Sequence, residues 1–246
     1  MSIPAVVFNQ VGKSYPQYHH ITGGIKNFVF HLPSVLRAVR DSRYVALQDI
    51  NFSVKQGECL GLIGRNGAGK STSLGLIAGV LKPTVGQVTV SLRVSPLLEL
   101  GAGFNPDLTG RENIFLNGVL LGMTRLEVAR KVDEIIAFAD LGDFIEQPIR
   151  VYSSGMVARL GFSVVSGLDP ELLLIDEILA VGDMRFQEKC MAKMMGFKQQ
   201  GVTMILVSHS MGDILKICDR VIWIENHLVK MVGEPRQVVE SYLANV

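Results

Sequence analysis

The run Gly64-Arg65-Asn66-Gly67-Ala68-Gly69-Lys70-Ser71 constrains this chain more than any other feature. An apolar, strand-like stretch, Cys59-Leu60-Gly61-Leu62-Ile63, leads into it, and a helix-like stretch follows. In that setting the three glycines let the backbone take positive φ and come close to an anion. Successive N–H groups and the N-terminus of the next helix then point at phosphates. The run reads as a phosphate-binding P-loop. Lys70 is placed to neutralise the β and γ phosphates, Ser71 to hold Mg²⁺ through its hydroxyl, and Thr72 to cap the same turn. A Gly-rich turn with a solvated lysine is the bland reading, and the strand before and helix after weigh against it.

The 246 residues are 48% hydrophobic and 19% charged, enough for a sizeable core in one compound domain or two closely packed lobes. The formal net charge is +1, so no global field argues for nucleic acid as a partner. Cys59, Cys190 and Cys218 lack metal-ligand spacing, which suits buried thiols in a reducing compartment. No stretch reaches the roughly 18 apolar residues needed to span a bilayer, and residues 1–30 lack the order of a signal peptide. Any membrane association is expected to be peripheral.

Elements alternate as a mostly parallel sheet requires. Ala46 to Val54 reads as a strand, Lys55-Gln56-Gly57-Glu58 as a turn, and 59–63 as the strand feeding the P-loop. The helix after Lys70 is expected to end near Gly79, and Val88 to Leu98 reads as strand again. From about 104 to 168 the character turns helical. Thr124-Arg125-Leu126-Glu127 is a capping box, followed by Val128, Val132, Ile135, Ile136 and Ala139 at helical spacing. This region reads as a helical lobe inserted in the sheet domain. Leu172–Ile175 and Val202–Val207 are apolar runs of the kind buried on both faces. Gly201 ends the helix between them, and Asn226-His227 is expected to turn a late hairpin.

A second motif specifies the chemistry. Leu172-Leu173-Leu174-Ile175-Asp176-Glu177 puts a carboxylate at the end of a buried strand, expected next to the end of the P-loop strand. Asp176 is placed to hold Mg²⁺ through water, and Glu177 to orient or deprotonate the water that attacks the γ-phosphate. Val207-Ser208-His209 ends the next strand. His209 can reach the γ-phosphate from there. His19, His20, His31 and His227 have no such setting, and Trp223 reads as core.

Tyr152-Ser153-Ser154-Gly155-Met156, with Arg159 and an apolar helix to Gly167, lies just before the Asp176 strand. Together these segments resemble the ABC-type ATPases over about residues 5 to 235. The resemblance implies an α/β P-loop NTPase fold: a mostly parallel sheet core, an antiparallel β subdomain and the inserted helical lobe. It further implies that Ser153, Ser154 and Gly155 of one subunit complete the ATP site of another, giving a homodimer with two nucleotides at its interface. Physics supports the transfer, since hydroxyls and N–H groups at a helix N-terminus favour a γ-phosphate. Read alone, Ser-Ser-Gly is an ordinary N-cap. In the family Asp183 belongs to the D-loop that couples the two sites. Tyr15 matches the aromatic that stacks on adenine, with Tyr44 as the alternative.

Departures from the common ABC pattern narrow the resemblance. Tyr152, Ser154 and Met156 replace leucine, glycine and glutamine, and Leu97 to Pro106 lacks the Q-loop glutamine, with Glu99 nearest its place. These wordings, with Ile178 to Asp183, resemble ATP-binding subunits that export O-antigen, capsule or teichoic acid polysaccharides, O-antigen foremost. Residues 16–45 form an insertion in which Ile25, Phe28, Leu32, Val35, Leu36 and Val39 share a helical face beside basic residues. Such a segment can lie on an anionic membrane surface, on a partner helix or on its own domain. The resemblance implies a peripheral subunit at the cytoplasmic face of the inner membrane that drives separate permease subunits, two of them, moving a lipid-linked polysaccharide. No carbohydrate-binding domain is expected after the cassette. The rival is a non-transport ABC ATPase of repair or translation, though no coiled-coil arm, tandem cassette or basic surface is evident.

Overall fold

The fold is taken from a computed structural model that describes residues 3–16, 43–97, 101–176 and 182–245. The amphipathic insertion expected at 16–45 lies almost wholly outside these residues.

Nine strands form two sheets among the described residues. β1 (Val6–Pro16), β2 (Arg43–Val54) and β4 (Val85–Val90) pair antiparallel in the order β2-β1-β4. The larger sheet runs β5 (Val94–Leu97), β6 (Leu172–Asp176), β7 (Thr203–Val207), β3 (Cys59–Ile63), β8 (Arg220–Glu225), β9 (Leu228–Gly233). All its neighbours are parallel except β8 and β9, the expected hairpin. Asn226 and His227 turn that hairpin with φ of 48° and 66°, the left-handed pair that a two-residue turn needs.

Seven α-helices complete the fold among the described residues. α1 (Lys70–Ile77) follows the P-loop, and α2 (Gly110–Leu120), α3 (Arg125–Ala139) and α4 (Ser154–Ser166) build the helical lobe. α5 (Met184–Gln199) and α6 (Met211–Ile217) return to strands of the sheet, and α7 is Pro235–Leu243. Alternation along the central strands sends side chains to opposite faces, and two separate cores result. Leu60, Leu62, Leu172, Leu174, Ile205 and Val207 pack toward α1 and the antiparallel sheet. Cys59, Leu173, Ile175, Met204, Leu206 and Trp223 pack toward the remaining helices, with Phe162 and Phe186 at that core's centre. Trp223 is buried, as its apolar strand suggests.

Two expectations are corrected. The stretch from Val88 to Leu98 is not one strand. It ends β4 at Val90, crosses at Ser91-Leu92-Arg93, and starts β5 in the other sheet. The Ser91 N–H and hydroxyl both bond the Ala5 carbonyl, and the Arg93 N–H bonds Glu171, so the two ends are tied to different sheets. Nor is the Asp176 strand beside the P-loop strand, because β7 lies between them. The three cysteines are free and buried, and burial pushes the Cys190 thiol up to about 12.

Candidate functional site

Register sets the site. Leu62 on β3 and Asp176 on β6 both pair with Val207 on β7, so three adjacent strands end at one level. Strands in a sheet lie about 4.8 Å apart, which brings the start of the P-loop, Ser208-His209 and Asp176 to a single edge within roughly two strand spacings. These are the carboxyl ends of parallel strands, where α/β sheets bind ligands.

The loop is held by its own backbone. Gly64 has φ 151°, and a Cβ there would lie 2.2 Å from the Ile224 carbonyl oxygen; Gly69 has φ 110°, and a Cβ would meet the Ala46 carbonyl oxygen at 2.6 Å. Only glycine fits either position. Gly69 is also the N-cap of α1, with no side-chain hydrogen bond capping the helix. Thr72 therefore does not cap this turn as expected, and the Ser73 hydroxyl instead donates to the Gly69 carbonyl at 3.0 Å. A helix that opens without a side-chain cap keeps its first N–H groups aimed outward, as an anion site needs. Lys70 is 6% exposed, and its Nζ donates to the carbonyls of Gly64 (2.8 Å) and Arg65 (3.2 Å). Its ammonium is thus fixed across the mouth of the loop.

Two recesses flank the loop. One, of about 280 Å³, is lined by Tyr44, Asn66, Gly67, Lys70, Ser71 and Thr72 among others. The second, of about 300 Å³, is lined by Tyr44, Arg65, Asn66, Glu225, Asn226 and His227 among others. Tyr44 borders both, and its hydroxyl donates to the Gly67 carbonyl at 3.3 Å. Tyr15 faces Tyr44 across the β1–β2 ladder, with Lys13 Nζ 5.0 Å from its ring centre, and lines neither recess. Local reading had nothing to single out His227, because strand pairing alone carries the hairpin tip to β2. There its Nδ1 lies 3.2 Å from the Ala46 carbonyl oxygen, and its backbone carbonyl accepts from the Gln48 N–H.

The Ser71 hydroxyl and the Asp176 carboxylate supply hard oxygen donors from the loop and the strand edge, a set that suits Mg²⁺. That ion commonly uses one or two protein oxygens and completes its shell with phosphate and water. Glu177 and Glu99 lie outside the described residues. His209 is exposed, and the Ser208 hydroxyl beside it accepts from the Ser210 N–H at 3.0 Å.

Ser153 caps α4, its hydroxyl accepting from the Met156 N–H at 3.2 Å. Ser153 and Ser154 are exposed, and the segment Ser153–Gly155 lines neither recess. One departure from the common pattern gains a structural reason here. The Tyr152 hydroxyl donates to the Phe144 carbonyl at 2.5 Å, and a Cβ on Gly110 would run into that hydroxyl at 2.3 Å. Burial raises the Tyr152 pKa and keeps it a neutral donor. The phenol thereby pins the segment to the turn Gly142–Glu146.

Asp183 caps α5 with one oxygen, accepting from the Phe186 N–H at 2.9 Å. Its other oxygen is 3.6 Å from the Arg159 guanidinium. Arg159 also donates to the Ala139 carbonyl and lies 5.0 Å from the Phe186 ring centre, so α4 is tied to the cap of α5.

The sequence profile described as "ABC transporter" matches residues 47–180. An O-antigen export system ATP-binding protein of Klebsiella pneumoniae is 56% identical over 239 residues, 97% of either chain. A teichoic acids export ATP-binding protein of Listeria innocua is 40% identical, covering 96% of this chain and 69% of that one. Among solved structures, a dimeric ATP-binding cassette in a post-hydrolysis state with ADP and Pi superposes with a TM-score of 0.74 at 21% identity. That alignment covers 94% of this chain and 99% of the other.

Proposed function

Because the chain belongs to the ABC transporter family, we propose that it is the ATP-hydrolysing subunit of an exporter of lipid-linked O-antigen polysaccharide. The observation that carries this is 56% identity, end to end, with an O-antigen export ATP-binding protein. In this reading the permease is a separate polypeptide. Among the described residues no helix is long and apolar enough to cross a membrane, and in this reading the subunit attaches peripherally at the inner face through that partner.

The residues divide the work as follows. Backbone N–H groups of residues 64–71 and the Lys70 ammonium hold the β and γ phosphates and take up their charge. Ser71 and Asp176 hold Mg²⁺, which when bound draws charge from the phosphate oxygens during transfer. Glu177, the residue after Asp176, orients and deprotonates the attacking water, and His209 contacts the γ-phosphate from the end of β7. Tyr44 stacks on the base, a role its position beside the loop supports over Tyr15. The helix end Ser153–Gly155, whose two serines are exposed and which lines neither recess of its own P-loop, caps the site of a second copy. Asp183, tied to α4 through Arg159, lies between the two functions.

Removing the chain from its host and restoring it on a plasmid tests the reading. Surface O-antigen should vanish on removal, with lipid-linked glycan accumulating inside. It should return with the natural chain and not with Lys70→Ala. Unchanged surface glycan after removal would overturn the assignment.

A further inference from the structure

The recess beyond Tyr44 contains a recognition element that the phosphate chemistry leaves unused. His227 lines it, edge-on to Tyr44 with ring centres 5.6 Å apart and planes at 82°. Its Nδ1 lies 3.2 Å from the Ala46 carbonyl oxygen. A carbonyl only accepts, so that contact puts the ring proton on Nδ1. In the neutral ring the remaining nitrogen, Nε2, is then an acceptor. The left-handed turn at Asn226-His227 and the bond from the Gln48 N–H to the His227 carbonyl hold the residue in place, so the acceptor is pre-set before any ligand arrives.

We propose that His227 is a specificity-determining residue that selects the purine base by accepting a hydrogen bond from an exocyclic 6-amino group at Nε2. This rests on the reading that the P-loop holds a nucleoside triphosphate and Tyr44 stacks on its base. Adenine presents an N–H donor at position 6, whereas guanine presents a carbonyl oxygen there. An acceptor facing an acceptor leaves both without a partner, and such mismatches discriminate strongly where a site is built for a hydrogen bond. Glu225 lines the same recess with its carboxylate paired to the Lys230 ammonium at 2.5 Å, and the imidazole adds an acceptor held in place there by its Nδ1 contact.

The test is competition against a fluorescent ATP analogue on the full chain with Mg²⁺, using ATP, GTP and the purine riboside triphosphate that lacks a 6-substituent. His227→Asn keeps a donor near the Nδ1 position and tolerates left-handed φ, but removes the distal nitrogen; His227→Gln restores an acceptor near the Nε2 position. The natural chain should bind ATP about tenfold more tightly than either other nucleotide, the worth of one hydrogen bond. His227→Asn should bring the three within about twofold through weaker ATP binding, read as a rise in the competition constant for ATP. His227→Gln should recover part of the preference. Equal binding of ATP and the 6-unsubstituted nucleotide by the natural chain would overturn the proposal without any variant. So would an unaltered preference in His227→Asn. Failure of the folded natural chain to bind any of the three would instead overturn the reading of the nucleotide site.

Discussion

Tyr44 and Tyr15 face each other across one strand pair, yet they differ in function on this account. Tyr44 borders the P-loop recess and bonds the Gly67 carbonyl, so its ring is the surface on which a base extending from the phosphates would stack. Base–aromatic stacking is worth about 1–3 kcal/mol. Tyr44→Ala should therefore raise KM for ATP roughly tenfold, and Tyr15→Ala should change it less than about twofold, both measured by steady-state hydrolysis. Equal effects would place the base elsewhere. Sequence put Tyr15 first and Tyr44 as the alternative, because the choice depends on how the chain returns after residue 16. The same limit applies to Thr72. Its place on the first turn suggested a cap, whereas the loop hands that position to Gly69.

Among the elements, the helical lobe depends on its helix starts. Thr109–Glu112 and Thr124–Glu127 form reciprocal capping boxes at α2 and α3. Only the second was read from the sequence. The first carries the same Thr-x-x-Glu spacing, but α2 lacks the regular apolar stripe that marks α3, so the pattern did not stand out. Replacing Thr109 or Thr124 by alanine should cost about 1 kcal/mol of stability in chemical denaturation. Hydrogen bonds from the threonine backbone and hydroxyl lower the pKa of Glu112 and of Glu127. A lowered folded pKa adds stability above the unfolded glutamate value of about 4.3, and that stability is lost as pH falls through the folded value. The alanine variants should consequently lose part of the acid dependence shown by the natural chain, and an identical pH profile would contradict the capping role. The split of Val88 to Leu98 between two sheets was not legible, since both halves are equally apolar and the crossing at residues 91–93 is fixed by distant partners.

For the whole molecule, the order β5-β6-β7-β3-β8-β9 explains why dispersed motifs act together. Each parallel strand delivers its chemistry at its carboxyl end, and the register of Leu62, Val207 and Asp176 aligns three of them. Much of this was open to sequence reading, because buried parallel strands are continuous apolar runs and the P-loop, Asp176 and Ser208-His209 each sit at the end of one. Strand order was not, because adjacency in a parallel sheet is decided by packing of the crossover helices rather than by chain order. Ser153 and Ser154 lie exposed at the start of α4, open to the second copy proposed above, and Arg159 joins their helix to the cap of α5. The account therefore treats the subunit as a device that closes on ATP against its twin and moves a separate membrane partner. Its most direct test is affinity capture from membranes of a tagged Glu177→Gln chain held with ATP and Mg²⁺, with partners identified by mass spectrometry. The predicted result is a multi-helix permease encoded beside glycan-assembly enzymes. Recovery of ribosomes, repair factors or no partner at all would contradict it.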